Sequence, residues 1–277
     1  MKKKNKLIIL ILLLAVAASA IFFYIRKEKE SRNKRIKVSG NIEATDVRLS
    51  FRVAGKILEL LTDEGKFVKI GDVVARQETD ELLETKNHAE ASLKAAEYQY
   101  ELDKVDYERA ENLYKEGSIS AQKRDLAKTK ADADQANVQA LKASLQLAIT
   151  RLGFADLVSP LDGFALVKSA EAGEVIQIGA TVFTVADLRD IWLTAYINET
   201  DLGRVKLSQE AEIKTDTYPD KIYRGRVSFI SQEAEFTPKQ IQTTEERVKL
   251  VYRIKITVDN TSLELKPGMP ADGYIIE

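Results

Sequence analysis

The feature that most constrains the fold is the stretch Thr79–Leu152, which predicts two long helices joined by a tight turn. Its first half, from Thr79 to Glu116, contains neither Gly nor Pro and is dominated by strong helix formers. Apolar or bulky residues recur in both halves at alternating steps of four and three, which is the heptad pattern of a coiled coil. The first seam is Leu82, Lys86, Ala89, Leu93, Ala96, Tyr100, Asp103, Tyr107, Ala110 and Tyr114, and the second is Ala127, Ala131, Asp134, Val138, Leu141, Leu145, Ala148 and Leu152.

The turn between the two helices has its own signals. Gly117 follows the last turn of the first helix, where a left-handed residue is favoured, and Ser120 is a candidate N-cap of the second. A turn this short forces the helices to lie antiparallel, and helices of this length span roughly 50–57 Å. An ordinary helical domain is the alternative, but the sequence offers no third helix to cover a wider apolar face. We therefore predict a protruding antiparallel hairpin over residues 79–152.

The N-terminus predicts a membrane anchor over residues 1–27. Four lysines within the first six residues precede Leu7–Ile25, nineteen residues without a charge, which is enough for one spanning helix. Cleavage after Ala18-Ser19-Ala20 is the alternative, although the apolar run continues past that point. The far flank is basic too, so charge alone does not set the orientation.

Composition excludes several classes of function. A formal net charge of −1 argues against a nucleic-acid binder, and the absence of cysteine excludes disulfides, thiolate metal sites and cysteine nucleophiles. His88 is the only histidine and lies between heptad positions, so we expect it to face solvent. No phosphate-binding glycine loop precedes a helix. We expect no enzyme activity, no catalytic residues, no metal and no cofactor.

The segments on either side of the hairpin repeat one another. Gly55, Gly65 and Gly71 return 108 residues later as Gly163, Gly173 and Gly179. Four apolar positions keep the same offset: Leu58 with Leu166, Val68 with Ile176, Ile70 with Ile178, and Val74 with Val182. An internal repeat of short strands punctuated by glycine turns predicts that residues 36–78 and 153–186 form one split β-domain.

The C-terminal part predicts a small β-barrel. Ile191–Ile197, 211–217 and 224–231 are short strands at barrel-like spacing over residues 187–232, and Trp192 is expected to anchor the core. Residues 236–247 are predicted to be an exposed loop. Residues 233–277 are expected to finish the barrel and to form, with residues 36–46, a membrane-proximal β-unit.

A duplicated β-domain of this kind resembles the biotinyl and lipoyl carrier fold. Because the hairpin occupies the position where carriers hold their modified lysine, no prosthetic group is expected. A lipoyl-like domain interrupted by a coiled-coil hairpin behind one membrane segment resembles the HlyD-type membrane-fusion proteins, the periplasmic adaptors of tripartite efflux and secretion pumps. The sequences of residues 159–163 (SPLDG) and 265–271 (LKPGMPA) are similar to the corresponding stretches of that family.

The resemblance implies a fold, a location and a set of partners. The fold is mainly β with a long coiled-coil hairpin in an elongated molecule: an N-terminal transmembrane helix, a split lipoyl-like sandwich, a small barrel and a membrane-proximal unit. The protein would be anchored in the inner membrane with its bulk in the periplasm, or periplasmic if the leader is cleaved. It would join an inner-membrane transporter, with the ABC type weakly favoured by the loop 236–247, to a TolC-like outer-membrane factor, and would self-associate, as hexamers in relatives.

The resemblance also implies a docking site at the tip of the hairpin. Adaptors that meet a TolC-like channel carry an Arg, a Leu four residues later and a Ser seven further on, and Arg109, Leu113 and Ser120 have this spacing. A purely structural interpretation of the same residues makes Arg109 a solvated charge, Leu113 the last core contact of the first helix and Ser120 an N-cap. A lipoyl-like carrier subunit and a passive membrane-anchored coiled-coil scaffold are the alternative functions.

Overall fold

The computed structural model describes residues 35–236 and 250–276. The predicted fold class, mainly β with inserted helices, is confirmed. These residues divide into two units, residues 46–186 and residues 35–45 with 187–276. The predicted anchor lies outside the described residues, as do residues 237–247 of the predicted loop. None of the described helices is both long enough and apolar enough to cross a bilayer.

Two long helices form a hairpin within the first unit. Helix α1 (Asp80–Lys115) has 36 residues and helix α2 (Ala121–Gly153) has 33. The helices pack against each other, and the fully buried residues of their interface all belong to the predicted heptad seams: Ala96, Asp103, Ala131 and Ala148. Small residues at the seam allow close approach of the two backbones, so the interface is narrow. Most of each helix surface remains in solvent.

The rest of the first unit is a sandwich of short strands. The strands, in chain order, are the end of β1 (Arg35–Ser50), β2 (Gly55–Leu60), β3 (Phe67–Val68), β4 (Val73–Gln77), β5 (Asp156–Val158), β6 (Gly163–Lys168), β7 (Val175–Ile176) and the start of β8 (Thr181–Asn198). One sheet has the order β5-β4-β2-β7, and in the other β6 lies between β3 and β8. Phe51, Ile57, Val74, Val182 and Phe183 are buried between them.

The internal repeat folds as two halves that exchange equivalent hydrogen bonds. The amide of Gly65 donates to the carbonyl of Ala165, and the amide of Gly173 donates to the carbonyl of Ile57, each at 2.8 Å. These two bonds are related by the offset of 108 residues, as are the pairings of β2 with β7 and of β3 with β6. Gly65 and Gly173 have φ of 76° and 93°, a left-handed conformation that glycine adopts without a steric penalty. The halves therefore fold as one domain despite the long insertion.

The second unit is a closed barrel of six strands. The later residues of β8 join β9 (Glu210–Thr215), β10 (Tyr218–Phe236), β11 (Leu250–Asp259), β12 (Pro270–Ile276) and the first residues of β1, with a short helix α3 (Glu199–Leu202) after β8. The strand order is β1-β12-β9-β10-β11-β8, and pairing of β1 with β8 closes it. Closure leaves no free sheet edge among these strands.

The two ends of the chain pair, as expected for residues 36–46 and 233–277. Strand β1 pairs with β12 from Arg35↔Ile276 to Asn41↔Pro270, and β12 pairs with β9 of the barrel. Ile36, Val38 and Ile42 share one hydrophobic core with the other barrel strands. The inner faces of both terminal strands therefore help to fill the barrel, and a separate membrane-proximal β-unit stays a prediction.

Candidate partner-docking site

The turn of the hairpin begins with a Schellman cap on helix α1. Gly117 has φ of 72°, and its amide donates to the carbonyl of Tyr114 at 2.9 Å. The amide of Ser118 donates to the carbonyl of Leu113 at 2.8 Å. These are the two bonds that define the motif, with Gly117 as the left-handed residue. The predicted C-cap role of Gly117 is therefore confirmed, and the end of α1 is held in one geometry.

Helix α2 begins at an N-cap. Ser120 is extended, with φ of −73° and ψ of 154°, and its hydroxyl accepts a hydrogen bond from the amide of Lys123. This bond satisfies one of the amides that the first turn of a helix leaves without a partner. Only Ser118 and Ile119 lie between Gly117 and the N-cap Ser120, so the tip of the hairpin is short and ordered by its own hydrogen bonds.

The structure brings the three residues of the predicted docking motif to this tip. Arg109 and Leu113 are one helical turn apart on α1, and Leu113 is 43% exposed. The side chain of Arg109 is 70% exposed, and its guanidinium forms an ion pair with Asp106 at 3.1 Å. Ser120 is exposed although its hydroxyl caps α2. Ser120 therefore caps α2 and is also accessible to a partner, whereas Leu113 is not a buried core contact.

Arg124 fastens the two helices together just behind the tip. Its guanidinium lies over the ring of Tyr114, with 4.7 Å between Cζ and the ring centroid, and contacts Glu111 at 3.5 Å. It also forms an ion pair with Asp125 at 2.7 Å. A cation over an aromatic face adds to the attraction of the ion pairs. Sequence reasoning did not single out Arg124, because Tyr114 and Glu111 lie on the opposite helix.

A buried polar cluster crosses the middle of the hairpin. Asp103 is 2% exposed and accepts hydrogen bonds from Lys130 Nζ at 2.8 Å and Gln99 Nε2 at 3.0 Å. A hydrogen bond from Asp134, followed by those from Lys130 and Gln99, lowers the pKa of Asp103 to about 2. The same bond to Asp103, together with burial, raises the pKa of Asp134. The two carboxyl groups therefore share one proton more readily than two isolated aspartates.

The described residues contain no cluster of His, Cys, Asp and Glu side chains suited to a metal ion. The tip instead offers exposed apolar and hydrogen-bonding groups on a rigid turn. Leu126 on α2, 71% exposed, adds a further apolar side chain close to the tip that sequence reasoning missed. The sequence signal for this exposure was the position of Leu126, one residue before the seam residue Ala127.

Comparisons with known structures identify the fold. The chain superposes on MacA from Actinobacillus actinomycetemcomitans with a TM-score of 0.74 at 23% identity, covering 88% of this chain and 79% of that one. It superposes on the membrane fusion protein Spr0693 from Streptococcus pneumoniae with a TM-score of 0.70 at 16% identity, covering 87% and 98%. The fold is that of the membrane-fusion proteins, and the predicted resemblance to this class is confirmed.

Sequence comparisons identify the family. Residues 191–272 match the family described as the YknX-like beta-barrel domain. A UPF0194 membrane protein of Citrobacter koseri is 30% identical over 285 residues, which covers 83% of this chain and 86% of that protein. A relative from Yersinia pseudotuberculosis with the same name is 29% identical with the same coverage. The chain belongs to the UPF0194 membrane protein family.

Proposed function

We propose that this protein is a non-enzymatic periplasmic adaptor that links an inner-membrane exporter to a TolC-like outer-membrane channel during efflux or secretion. The observation that carries the proposal is the tip of the hairpin, where Leu113 is exposed on α1 between Arg109 and a turn that is fixed by two caps, the second of them Ser120. The membrane-fusion-protein fold and the family name of the relatives support it.

The chemistry of the tip suits docking onto another helical turn. Leu113 can fill a small apolar notch, while Arg109 and Ser120 lie within reach of backbone carbonyl groups around it. The ion pair of Arg109 with Asp106 is exposed, so exchanging it for a partner's carbonyl or carboxylate costs little free energy. The caps keep the two helix ends from fraying, which reduces the conformational entropy lost on docking.

Anchoring and assembly belong to the same proposal. Leu7–Ile25 would hold the protein in the inner membrane, beside an exporter. The sequence of residues 236–247 favours an exporter of the ABC type. Several copies, six in the simplest case, would surround the path of the substrate. Energy would come from the exporter, because the chain has no phosphate-binding loop of its own.

The test is crosslinking of the tip to an outer-membrane channel in whole cells. A photo-crosslinking residue at Ile119 would report contact with the channel. Leu113→Asp and Ser120→Asp are expected to reduce the crosslinked adduct about tenfold or more, because each places a carboxylate in a contact that is otherwise uncharged. Asp is itself a good N-cap, so S120D leaves helix α2 capped. Asn112→Asp adds the same charge one residue from Leu113 and is expected to leave the adduct unchanged.

Three outcomes would contradict the proposal. An adduct that is unaffected by L113D and S120D would remove the tip from the docking site. A mass increase corresponding to biotin or lipoate on the purified protein would favour the carrier reading instead. A deletion strain without any change in sensitivity to exported compounds would favour a passive scaffold.

A further inference from the structure

The exposed apolar side chains of the second unit gather toward one end of the barrel. Among the described residues of this unit, the large apolar side chains that are exposed are Tyr196, Leu207, Ile222, Phe229 and Leu250. Single exposed apolar residues scattered over a surface are normal and need no explanation. Here all of them except Ile222 lie toward the same end, so their grouping points to a contact.

Strand register defines that end. Strand β1 begins where β12 ends, beside the start of β9 and the later residues of β10, and β10 ends beside the start of β11 and the end of β8. We call this end of the barrel, with the connection 199–209 between β8 and β9, the rim. Leu207 lies in the connection, Leu250 begins β11, and Tyr196 is close to the end of β8. Ile222 lies toward the opposite end, near the turn from β9 to β10.

The turn that carries Leu207 is held in one geometry. The amide of Ser208 donates to the carbonyl of Val227 at 2.8 Å, and the amide of Val227 donates to the carbonyl of Gln209 at 2.9 Å. Gln209 Nε2 donates to the carbonyl of Ile276 at 2.9 Å. Ser208 has φ of 66°, a costly conformation for a residue with a side chain, which persists only where the surroundings fix it. Leu207, 62% exposed, is therefore presented to solvent by a fixed turn.

The arginines near the rim are paired within the unit. Their ion pairs, at 2.9 to 3.7 Å, are Arg204 with Asp201, Arg226 with Glu210, and Arg253 with Glu235. Paired charges leave little excess of one sign to attract a strongly charged partner. The apolar side chains and the exposed Lys206 beside Leu207 are thus the chemistry that the rim offers. Aromatic and leucine side chains with a neighbouring lysine suit the head-group region of a bilayer.

The chain runs from the expected membrane segment directly to the rim. Strand β1 begins there with Arg35, and nine residues separate Arg35 from Ile25, the last residue of the apolar run. Ten steps along an extended chain span at most about 36 Å. These nine residues include five basic and two acidic ones, so anionic head groups attract them. An anchor in the bilayer therefore keeps the rim, and not the end with Ile222, next to the lipid.

The distribution of the apolar side chains favours lipid over a protein as the occupant. They come from β8, from the connection to β9, from β10 and from β11, so they are spread around the end of the barrel. A protein partner binds mainly through a compact centre of packed side chains. A bilayer accepts separate side chains wherever they reach its surface, because lipids rearrange around them.

We infer that the rim rests on the surface of a phospholipid bilayer, with Leu207, Tyr196 and Leu250 inserted among the head groups. The inference rests on the anchor within the proposed function. It goes beyond that function because it gives the barrel a lipid contact of its own and a defined orientation toward the membrane.

Fluorescence quenching by lipids tests this contact in the full chain, which contains no cysteine of its own. Leu207→Cys and Ile222→Cys each carry one fluorophore, and the full-length protein is reconstituted without an exporter into vesicles of phosphatidylethanolamine and phosphatidylglycerol. Lipids brominated in the upper acyl chain are expected to quench the label at position 207 roughly twofold or more, because interfacial side chains insert by about 5–10 Å. The label at position 222 is the matched control, since Ile222 is 51% exposed at the opposite end, and its emission is expected to stay unchanged.

A second comparison asks whether Leu207 itself contributes to the contact. With the fluorophore at Leu250→Cys, Leu207→Asp is expected to lower the quenching by roughly half, because a carboxylate is expelled from the acyl region. Ile222→Asp adds the same charge at the opposite end and is expected to leave the quenching unchanged. Circular dichroism checks that each variant is folded.

The outcomes separate this inference from the proposed function. Equal quenching at positions 207 and 222 would overturn the inference, as would a protein that does not float with the vesicles. A change at position 207 that needs an added exporter would also overturn it, in favour of a protein partner. In each of these cases crosslinking of the tip to the channel still tests the adaptor role. Loss of tip crosslinking, with quenching at position 207 intact, counts against the proposed function alone.

Discussion

Lys130 Nζ lies 2.8 Å from Asp103 Oδ1, and this ion pair joins the two hairpin helices at a seam position where an apolar residue would be usual. The carboxylate is buried while the ammonium is 62% exposed, so the lysine reaches in from solvent to neutralise a charge in the interface. Asp134 approaches the same carboxylate from the other helix. Because a buried group that loses one partner is costly, this cluster fixes the register of the helices.

Acid is expected to weaken the hairpin through Asp103. Its pKa falls from 3.8 to about 2 in the folded protein, mainly through the hydrogen bond from Asp134 and those from Lys130 and Gln99. A lowered pKa contributes stability that is complete above the unfolded value and is lost as the pH falls toward the folded value. Thermal unfolding followed at 222 nm should therefore show a drop in Tm between about pH 4 and pH 2 that Asp103→Ala abolishes, at the cost of a lower Tm at neutral pH. A drop of the same size in both proteins would contradict the assignment.

Asp134→Asn is expected to stabilise the hairpin at neutral pH. The pKa of Asp134 is raised, so its ionised form is disfavoured in the folded state, and the stability that it contributes is present only at low pH and is lost as the pH rises through the folded value. The amide can still donate to Asp103 without a charge. The gain in Tm should shrink as the pH falls, and Asp132→Asn, an exposed aspartate on the same helix, should show no such trend.

Gly117→Ala is expected to cost about 1 kcal/mol of hairpin stability, because φ of 72° places an alanine Cβ in the unfavourable left-handed region. No atom lies within 4 Å of the position that this Cβ would take, so the cost is conformational and not a clash. Gly153→Ala is the matched control, since Gly153 ends α2 in open space without a positive φ. Chemical unfolding by urea compares the two, and equal effects would contradict the C-cap role.

Gly40→Ala is expected to prevent closure of the barrel. A Cβ at Gly40 would overlap the carbonyl oxygen of Thr194 on β8, and neither backbone can move without breaking strand pairing. Gly203→Ala adds the same methyl group in open space and should be neutral. Fluorescence of Trp192 and resistance to limited proteolysis measure the folded barrel, and a G40A protein as resistant as the parent would refute the close approach.

The helices, their caps and the duplicated sandwich were predictable from local patterns. Heptad spacing depends only on 3.6 residues per turn, and Gly117 and Ser120 act on the chain beside them. The sandwich could be predicted because its repeat preserves glycines that its turns require. The candidate tip followed from the resemblance to the membrane-fusion proteins once the hairpin was located, and whether its side chains bind a channel stays a prediction.

The arrangement of the barrel was not predictable in the same way. Trp192 was expected in the core, yet its indole Nε1 donates to Glu43 and to Thr194, and Lys255 lies 4.1 Å above its ring. Glu43 and Lys255 come from distant parts of the chain, whereas Thr194 lies two residues from Trp192 on the same strand. A strand's alternation shows that it has two faces, but not which face the closed sheet turns inward.

The amino-acid sequence by itself determined where the two hairpin helices begin and end, since caps, turns and heptads act over a few residues. Tertiary structure alone decided that residues 36–46 close the barrel and that Asp103, Lys130 and Asp134 meet. It also decided that Leu113 and Leu126 remain in solvent. The physical reason is that burial and the pKa of a carboxyl group depend on neighbours from distant segments, and only the folded chain brings those segments together.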